Sequence, residues 1–86
     1  MEKILYKISD ENGIHARPAG LIVNTAKKYT SKVTLVRSGK TADAKKLFAV
    51  MGLGIACGDE IEIVAEGDDE REAVVDIERV MKSAGL

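Results

Sequence analysis

The chain has 86 residues, of which 45% are hydrophobic and 31% charged, and its formal net charge is −1 at pH 7. This length predicts one domain over residues 1–86 with a small core. The near-neutral charge gives no indication of nucleic-acid binding by bulk electrostatics, and we expect none. No apolar run approaches about 18 residues and no basic-then-apolar leader is present, so we expect neither membrane insertion nor export.

The single cysteine, Cys57, cannot form an internal disulfide. With no export signal, this predicts a reducing, cytoplasmic location. The thiol is either reactive or a packed or semi-exposed bystander, and the second interpretation is favoured. One histidine and one cysteine, with carboxylates mostly on strand and helix faces, do not make a tetrahedral metal site. We therefore expect no metal and no cofactor.

The first segment predicts a strand and a turn. Residues 3–8 alternate between apolar and polar side chains, although Leu5 interrupts the pattern. Residues 9–13 predict a turn in which Asn12 and Gly13 supply left-handed backbone conformations. The Asn12 side chain either shapes this loop or holds a phosphate, and loop geometry is favoured.

The turn leads into residues 13–19, Gly-Ile-His-Ala-Arg-Pro-Ala, which contain the only histidine and the only proline of the chain. Proline is favoured in the first turn of a helix, so His15 is expected at or just before a helix N-terminus. Unpaired N–H groups and the helix dipole attract anions there, and Arg17 adds a cation. This combination suits a phosphoryl group carried on histidine, although a lone histidine at a helix start is often only a cap or a surface residue.

An apolar stripe behind the proline predicts the first helix over residues 16–28, with Lys27 and Lys28 in its last turn, where cations suit the dipole. Leu21 lies off this stripe and is either a stray surface residue or part of a patch that a partner covers. The predicted core residues of this helix are Ala19, Ile22, Val23 and Ala26.

Three further segments predict strands. Residues 32–37 alternate, Ser38 and Gly39 favour a hairpin turn, and residues 40–43 are expected to return as a short antiparallel edge strand. Residues 59–66 alternate most cleanly and predict the last strand.

Residues 45–53 predict a short helix that ends at Gly52 and Gly54. The spacing places Leu47, Val50 and Met51 on its buried face. Because the segment is too short and too apolar to bury every side, part of it is expected to be exposed. An exposed apolar cluster on a small protein marks a docking site, against the alternative that these residues are core. The residues concerned are Leu47, Phe48, Met51 and Leu53.

Residues 67–72 open the last helix, where Asp69 and Glu72 match a capping box with aspartate in the Ser/Thr role, and Gly85 is the predicted stop. The element order is β-α-β-β-α-β-α. Strands with one polar face predict a sheet covered on one side only, which gives a two-layer α+β sandwich with the helices on one face. The apolar face of the last helix is traced by Ala73, Val74, Ile77, Val80, Met81 and Ala84.

Residues 13–19 resemble the active-site signature of HPr, the histidine-containing phosphocarrier of the bacterial sugar phosphotransferase system. Residues 45–55, Lys-Lys-Leu-Phe-Ala-Val-Met-Gly-Leu-Gly-Ile, are similar to the second signature of that family, which usually reads lysine-serine, an apolar pair and a Leu-Gly run. The resemblance runs from about residue 2 to the last residue. It implies an open-faced sandwich in which a four-stranded antiparallel sheet is covered by three helices.

The resemblance also implies a carrier with no turnover of its own. His15 would accept a phosphoryl group on Nδ1 from enzyme I, which phosphoenolpyruvate phosphorylates, and would donate it to sugar-specific enzyme IIA domains. Arg17 and the N–H groups of Ala16 and Arg17 would stabilise the phosphate, while Pro18 fixes the helix start. We expect a monomer whose transient partner surface consists of Gly20, Leu21, Asn24, Leu47, Phe48, Met51 and Leu53.

Lys46 departs from the pattern, because many family members have there a serine that a regulatory kinase phosphorylates. Lysine cannot accept that phosphate, so this regulatory change of charge is unavailable. A specialised or regulatory paralogue that acts mainly by protein–protein binding is therefore the alternative function. A purely structural module is a third alternative, against which the complete active-site motif argues.

Overall fold

The computed structural model describes all 86 residues. The chain forms four strands and three helices in the predicted order. These elements are β1 (Glu2–Lys7), α1 (Ala16–Ala26), β2 (Lys32–Arg37), β3 (Lys40–Asp43), α2 (Leu47–Met51), β4 (Glu60–Glu66) and α3 (Glu70–Ser83).

The strands form one antiparallel sheet in the order β1-β4-β2-β3, which confirms the predicted fold class. Ile63 lies opposite Ile4 on one side and Leu35 on the other, at the centre of the sheet. Every second side chain of β4 is fully buried, while the alternate ones face away from the core. The helix α3 packs on β4, β1 and β2, and α1 packs between α3 and α2. The sheet is therefore covered on one face, as the alternation predicted.

The helix α1 is two residues shorter than predicted. Its four predicted core residues are buried, but it ends at Ala26, so Lys27 and Lys28 do not belong to its last turn. The reason is a tightened turn, in which Lys28 N–H donates to Thr25 O over 3.1 Å and Tyr29 N–H donates to Ala26 O over 3.2 Å. Because these bonds join residues three apart instead of four, the α-helix ends before the two lysines.

The helix α2 is shorter than predicted and faces the core differently. Of its three predicted buried residues only Val50 is buried, while Leu47 and Met51 are a little over one third exposed. Leu53, expected on the partner surface, is only 5% exposed, so that assignment is wrong. Because α2 ends at Met51, Leu53 lies in the following turn and its side chain belongs to the core.

The predicted capping box of α3 is also wrong. Asp69 is the N-cap, but its side chain makes no bond to the helix and accepts hydrogen bonds from Thr30 and Ser31 instead. Glu70 accepts the N–H of Gly67 over 3.2 Å, and Glu72 makes no hydrogen bond of the predicted kind. The other end of α3 matches the prediction. Gly85 has a φ of +81°, its N–H donates to Lys82 O, and Leu86 N–H donates to Met81 O, which is a Schellman motif.

No helix has the length and apolar character that crossing a membrane would require.

Candidate functional site

His15 is the N-cap of α1. Its backbone is extended, with φ −93° and ψ −173°, and its carbonyl accepts the N–H of Ala19 over 3.0 Å as the first bond of the helix. The imidazole makes no capping hydrogen bond and its side chain is exposed. Most N-cap side chains are used to satisfy the helix, whereas this ring is left available to another molecule.

The first turn of α1 presents hydrogen-bond donors around this ring. The N–H groups of Ala16 and Arg17 have no backbone carbonyl partner, and buried Pro18 has no N–H to satisfy. Arg17 is exposed and takes part in no ion pair. Two free N–H groups, a guanidinium and the positive end of the helix dipole therefore lie within two residues of the imidazole, an arrangement that favours a bound anion.

The segment before His15 is fixed on the protein. Ile14 is buried, and its N–H donates to Ile55 O over 3.1 Å. Gly13 has a φ of +60° and packs against the same carbonyl. Asn12 is not in a left-handed conformation, which corrects that part of the turn prediction, and its N–H donates to the Asp10 carboxylate over 2.9 Å. The loop is thus held by a side chain two residues earlier.

The helices α1 and α2 pack against each other, and both carry exposed apolar side chains. Phe48 is the most exposed of these at 85%, and Leu21 is 43% exposed. Asn24 is exposed and Gly20 half-buried on α1. We call the following residues the apolar surface: Leu21, Leu47, Phe48 and Met51.

Two residues that hold the neighbouring loop have no signal in the sequence pattern. Arg37 and Asp59 form an ion pair that holds the loop containing Ile55. They are 22 residues apart, and each sits at the end of a strand prediction rather than in a motif.

Cys57 is exposed in the same loop, and its Sγ lies 3.6 Å from Ser9 O. The choice between a reactive thiol and a bystander stays a prediction.

Comparison with known proteins agrees with this geometry. The family model described as "PTS HPr component phosphorylation site" matches residues 3–83. The structure of a Mycoplasma histidine-containing phosphocarrier protein is 34% identical, with 99% of this chain and 97% of that chain covered and a TM-score of 0.97. The crystal structure of HPr-C-His from Thermoanaerobacter tengcongensis is 36% identical, covering 96% and 93% of the two chains, with a TM-score of 0.91.

A further similar structure is Crh, the catabolite repression containing protein of Bacillus subtilis. It is 33% identical over 94% of this chain and 93% of that chain, with a TM-score of 0.77, and it is described as a dimer with a swapping domain. The family match spans nearly the whole chain, and the three similar structures, from three different bacteria, have the same fold. The chain therefore belongs to the HPr family, the phosphocarriers of the sugar phosphotransferase system, which carry a phosphoryl group without catalytic turnover of their own.

Proposed function

We propose that His15 accepts a phosphoryl group from phosphorylated enzyme I, with phosphoenolpyruvate as the ultimate donor, and passes it to sugar-specific enzyme IIA domains. The observation that carries this proposal is the exposed His15 ring at the N-cap of α1, free of intramolecular hydrogen bonds. An acceptor that must meet two different proteins in turn has to be reachable from solvent.

The proposed transfer needs an unprotonated ring nitrogen, which imidazole supplies near neutral pH. That nitrogen attacks phosphorus, the new N–P bond forms, and the bond from phosphorus to the donor protein breaks. Family resemblance assigns Nδ1 as the acceptor. Charge on the equatorial oxygens would be met by the Arg17 guanidinium and by the N–H groups of Ala16 and Arg17.

Both partners are proposed to dock on the apolar surface together with Gly20 and Asn24. Support comes from the exposure of Phe48 and from the packing of α2, which carries three of the four residues of this surface, against α1, the helix that His15 caps. A large exposed apolar side chain on a small protein is typical of an interaction site. We propose that the protein acts as a monomer in the cytoplasm.

The test is incubation with phosphoenolpyruvate and enzyme I. We expect acid-labile phosphate on the wild type and none on His15→Ala. Because His15 is the only histidine, any phosphohistidine can be assigned without mapping. Cys57→Ser is the matched control, since it removes the only thiol of the chain and should leave labelling unchanged. A wild-type protein that takes up no phosphate would overturn the proposal.

The alternative is a specialised or regulatory paralogue that acts mainly by binding partners. Lys46 favours it, because the residue stands at the N-cap of α2 with an exposed, permanently charged side chain in place of the usual serine. The similarity to Crh is in keeping with such a role. The same labelling assay separates the two functions, since a binding module needs no transfer through His15.

A further inference from the structure

The loop between α2 and β4 lies directly against the segment that carries His15. Ile14 N–H donates to Ile55 O over 3.1 Å. At Gly13 the contact is closer still, since a Cβ there would lie 2.3 Å from Ile55 O and 2.8 Å from Ala56 Cα. The two backbones touch with no side chain between them, so a shift of Ile55 or Ala56 would be passed to Gly13 and Ile14, next to His15.

One ion pair holds this loop at three points. Arg37, the last residue of β2, donates from Nε to Asp59 Oδ2 over 2.7 Å and from Nη1 to Leu53 O over 3.1 Å. The same Oδ2 accepts the N–H of Ala56 over 2.8 Å. The beginning, the middle and the end of the loop are therefore all bonded to a single guanidinium–carboxylate unit.

The loop has no regular structure of its own. Apart from this unit, it is held by main-chain bonds of Gly58 and Asp59 to Ile8 and by the buried side chains of Leu53 and Ile55. Residues 52–59 contain no helix or strand, and Gly54 and Gly58 adopt positive φ angles of 63° and 90°. The Arg37 and Asp59 side chains are 29% and 28% exposed, so solvent screens their interaction only in part. The bonds from Ala56 N–H and Arg37 lower the pKa of Asp59, because both stabilise its charged form.

We propose that Arg37 and Asp59 are positioning residues for phosphoryl transfer at His15. By fixing Ile55 O they hold Ile14, and through it the angle at which the imidazole meets the donors of the first turn of α1. Neither residue belongs to the first turn of α1 or to the apolar surface. This inference rests on the proposed function of His15.

Loss of the pair should therefore lower the rate of transfer more than the affinity for enzyme I, since productive alignment is lost while the docking residues remain. With the protein as varied substrate, we expect kcat for phosphorylation of Arg37→Met to fall about tenfold with little change in KM. Hydrogen exchange at the Ile14 amide should become faster. Arg37→Lys should be intermediate, because an ammonium lacks the fixed fork that reaches both acceptors.

Arg79→Met is the matched control. Arg79 also donates from Nε to an aspartate, Asp76, over 3.0 Å, but it lies on α3 and makes no hydrogen bond or ion pair to the loop. It should change neither kcat nor the exchange of Ile14. Asp59→Asn keeps an acceptor for Ala56 without the charge, and it is the milder variant if Arg37→Met does not fold.

Folded variants of Arg37 and Asp59 with unchanged kcat and unchanged Ile14 exchange would overturn the inference. An equal fall of kcat in Arg79→Met would also overturn it. The same holds if kcat falls only in proportion to the folded fraction measured by circular dichroism. If the wild type takes up no phosphate, the proposed function fails instead, and the Ile14 exchange still decides whether the pair holds the loop.

Discussion

The Asp69 carboxylate accepts the backbone N–H of Ser31 over 2.9 Å, and so ties the N-cap of α3 to the turn before β2. The same carboxylate accepts Thr30 N–H over 2.9 Å and the Ser31 hydroxyl. Gly67 lies against Ser31 at this junction, where a Cβ would be 2.7 Å from its hydroxyl oxygen. One acidic side chain thus joins the two halves of the chain through three hydrogen bonds.

Because of these bonds, the free energy of unfolding depends on pH in the acid range. They hold the pKa of Asp69 at about 2, below its usual 3.8, with the Ser31 hydroxyl as the largest cause. Because the folded-state pKa is lowered, the stabilisation is complete above about pH 4 and is lost as the pH falls from there toward 2. We expect Asp69→Asn to be less stable than wild type at pH 7, with the difference shrinking over this interval.

The measurement is urea unfolding of wild type and Asp69→Asn at a series of pH values. The matched control is Asp68→Asn, which removes a neighbouring carboxylate that makes no hydrogen bond in the structure and should leave the urea midpoint nearly unchanged. Equal stability of wild type and Asp69→Asn at pH 7 would contradict the prediction.

The second prediction concerns two glycines with similar backbones and different surroundings. Gly13→Ala should destabilise the fold by about 3 kcal/mol, because it combines left-handed strain with a clash against Ile55 O. Gly39→Ala should cost only about 1 kcal/mol, since φ is +81° but no atom lies within 4 Å of the added Cβ. Chemical denaturation gives both values, and phosphorylation should suffer only in Gly13→Ala. Equal costs would show that the contact with Ile55 is unimportant.

Local patterns were sufficient for the elements of the fold. The bounds of β2 and β3 match the prediction, because alternation and a Ser38-Gly39 turn, with φ values of 49° and 81°, act over neighbouring residues only. The end of α3 at Gly85 also follows from a local signal, the glycine after the last helical residues. The proline of the short motif at residues 13–19 predicts a helix start beside His15, and His15 is the N-cap of α1.

Local sequence patterns do not predict contacts between residues that are far apart in the chain. Asp69 satisfies the rule for an N-cap, yet its carboxylate bonds to Ser31, 38 residues away, because that turn offers three donors and the helix offers fewer. Leu53 has the apolar character of a docking residue, but tertiary packing buries it. The pairing of Arg37 with Asp59 depends on how β2 meets β4 and has no local signature.

The third prediction separates docking from folding on the apolar surface. Phe48 is 85% exposed, so Phe48→Ala should change the free energy of unfolding by less than about 0.5 kcal/mol. If partners dock there, KM for phosphorylation by enzyme I should rise about tenfold, as expected for an aromatic anchor. Leu5→Ala is the control, because Leu5 is 56% exposed on β1, outside the apolar surface. Steady-state kinetics of both variants decide the matter, and an unchanged KM for Phe48→Ala would remove Phe48 from the interface.

The last prediction concerns Lys46, which occupies the N-cap of α2 without a capping hydrogen bond. A kinase that phosphorylates the serine of other family members should leave this protein unmodified, since lysine offers no hydroxyl. Mass spectrometry after incubation with the kinase checks this, and phosphate on any of residues 45–55 would contradict it. Lys46→Ser should accept the phosphate and also stabilise the fold by about 1 kcal/mol relative to Lys46→Ala, because a serine hydroxyl caps the helix. If the two variants unfold at the same urea concentration, the N-cap of this five-residue helix does not contribute to stability.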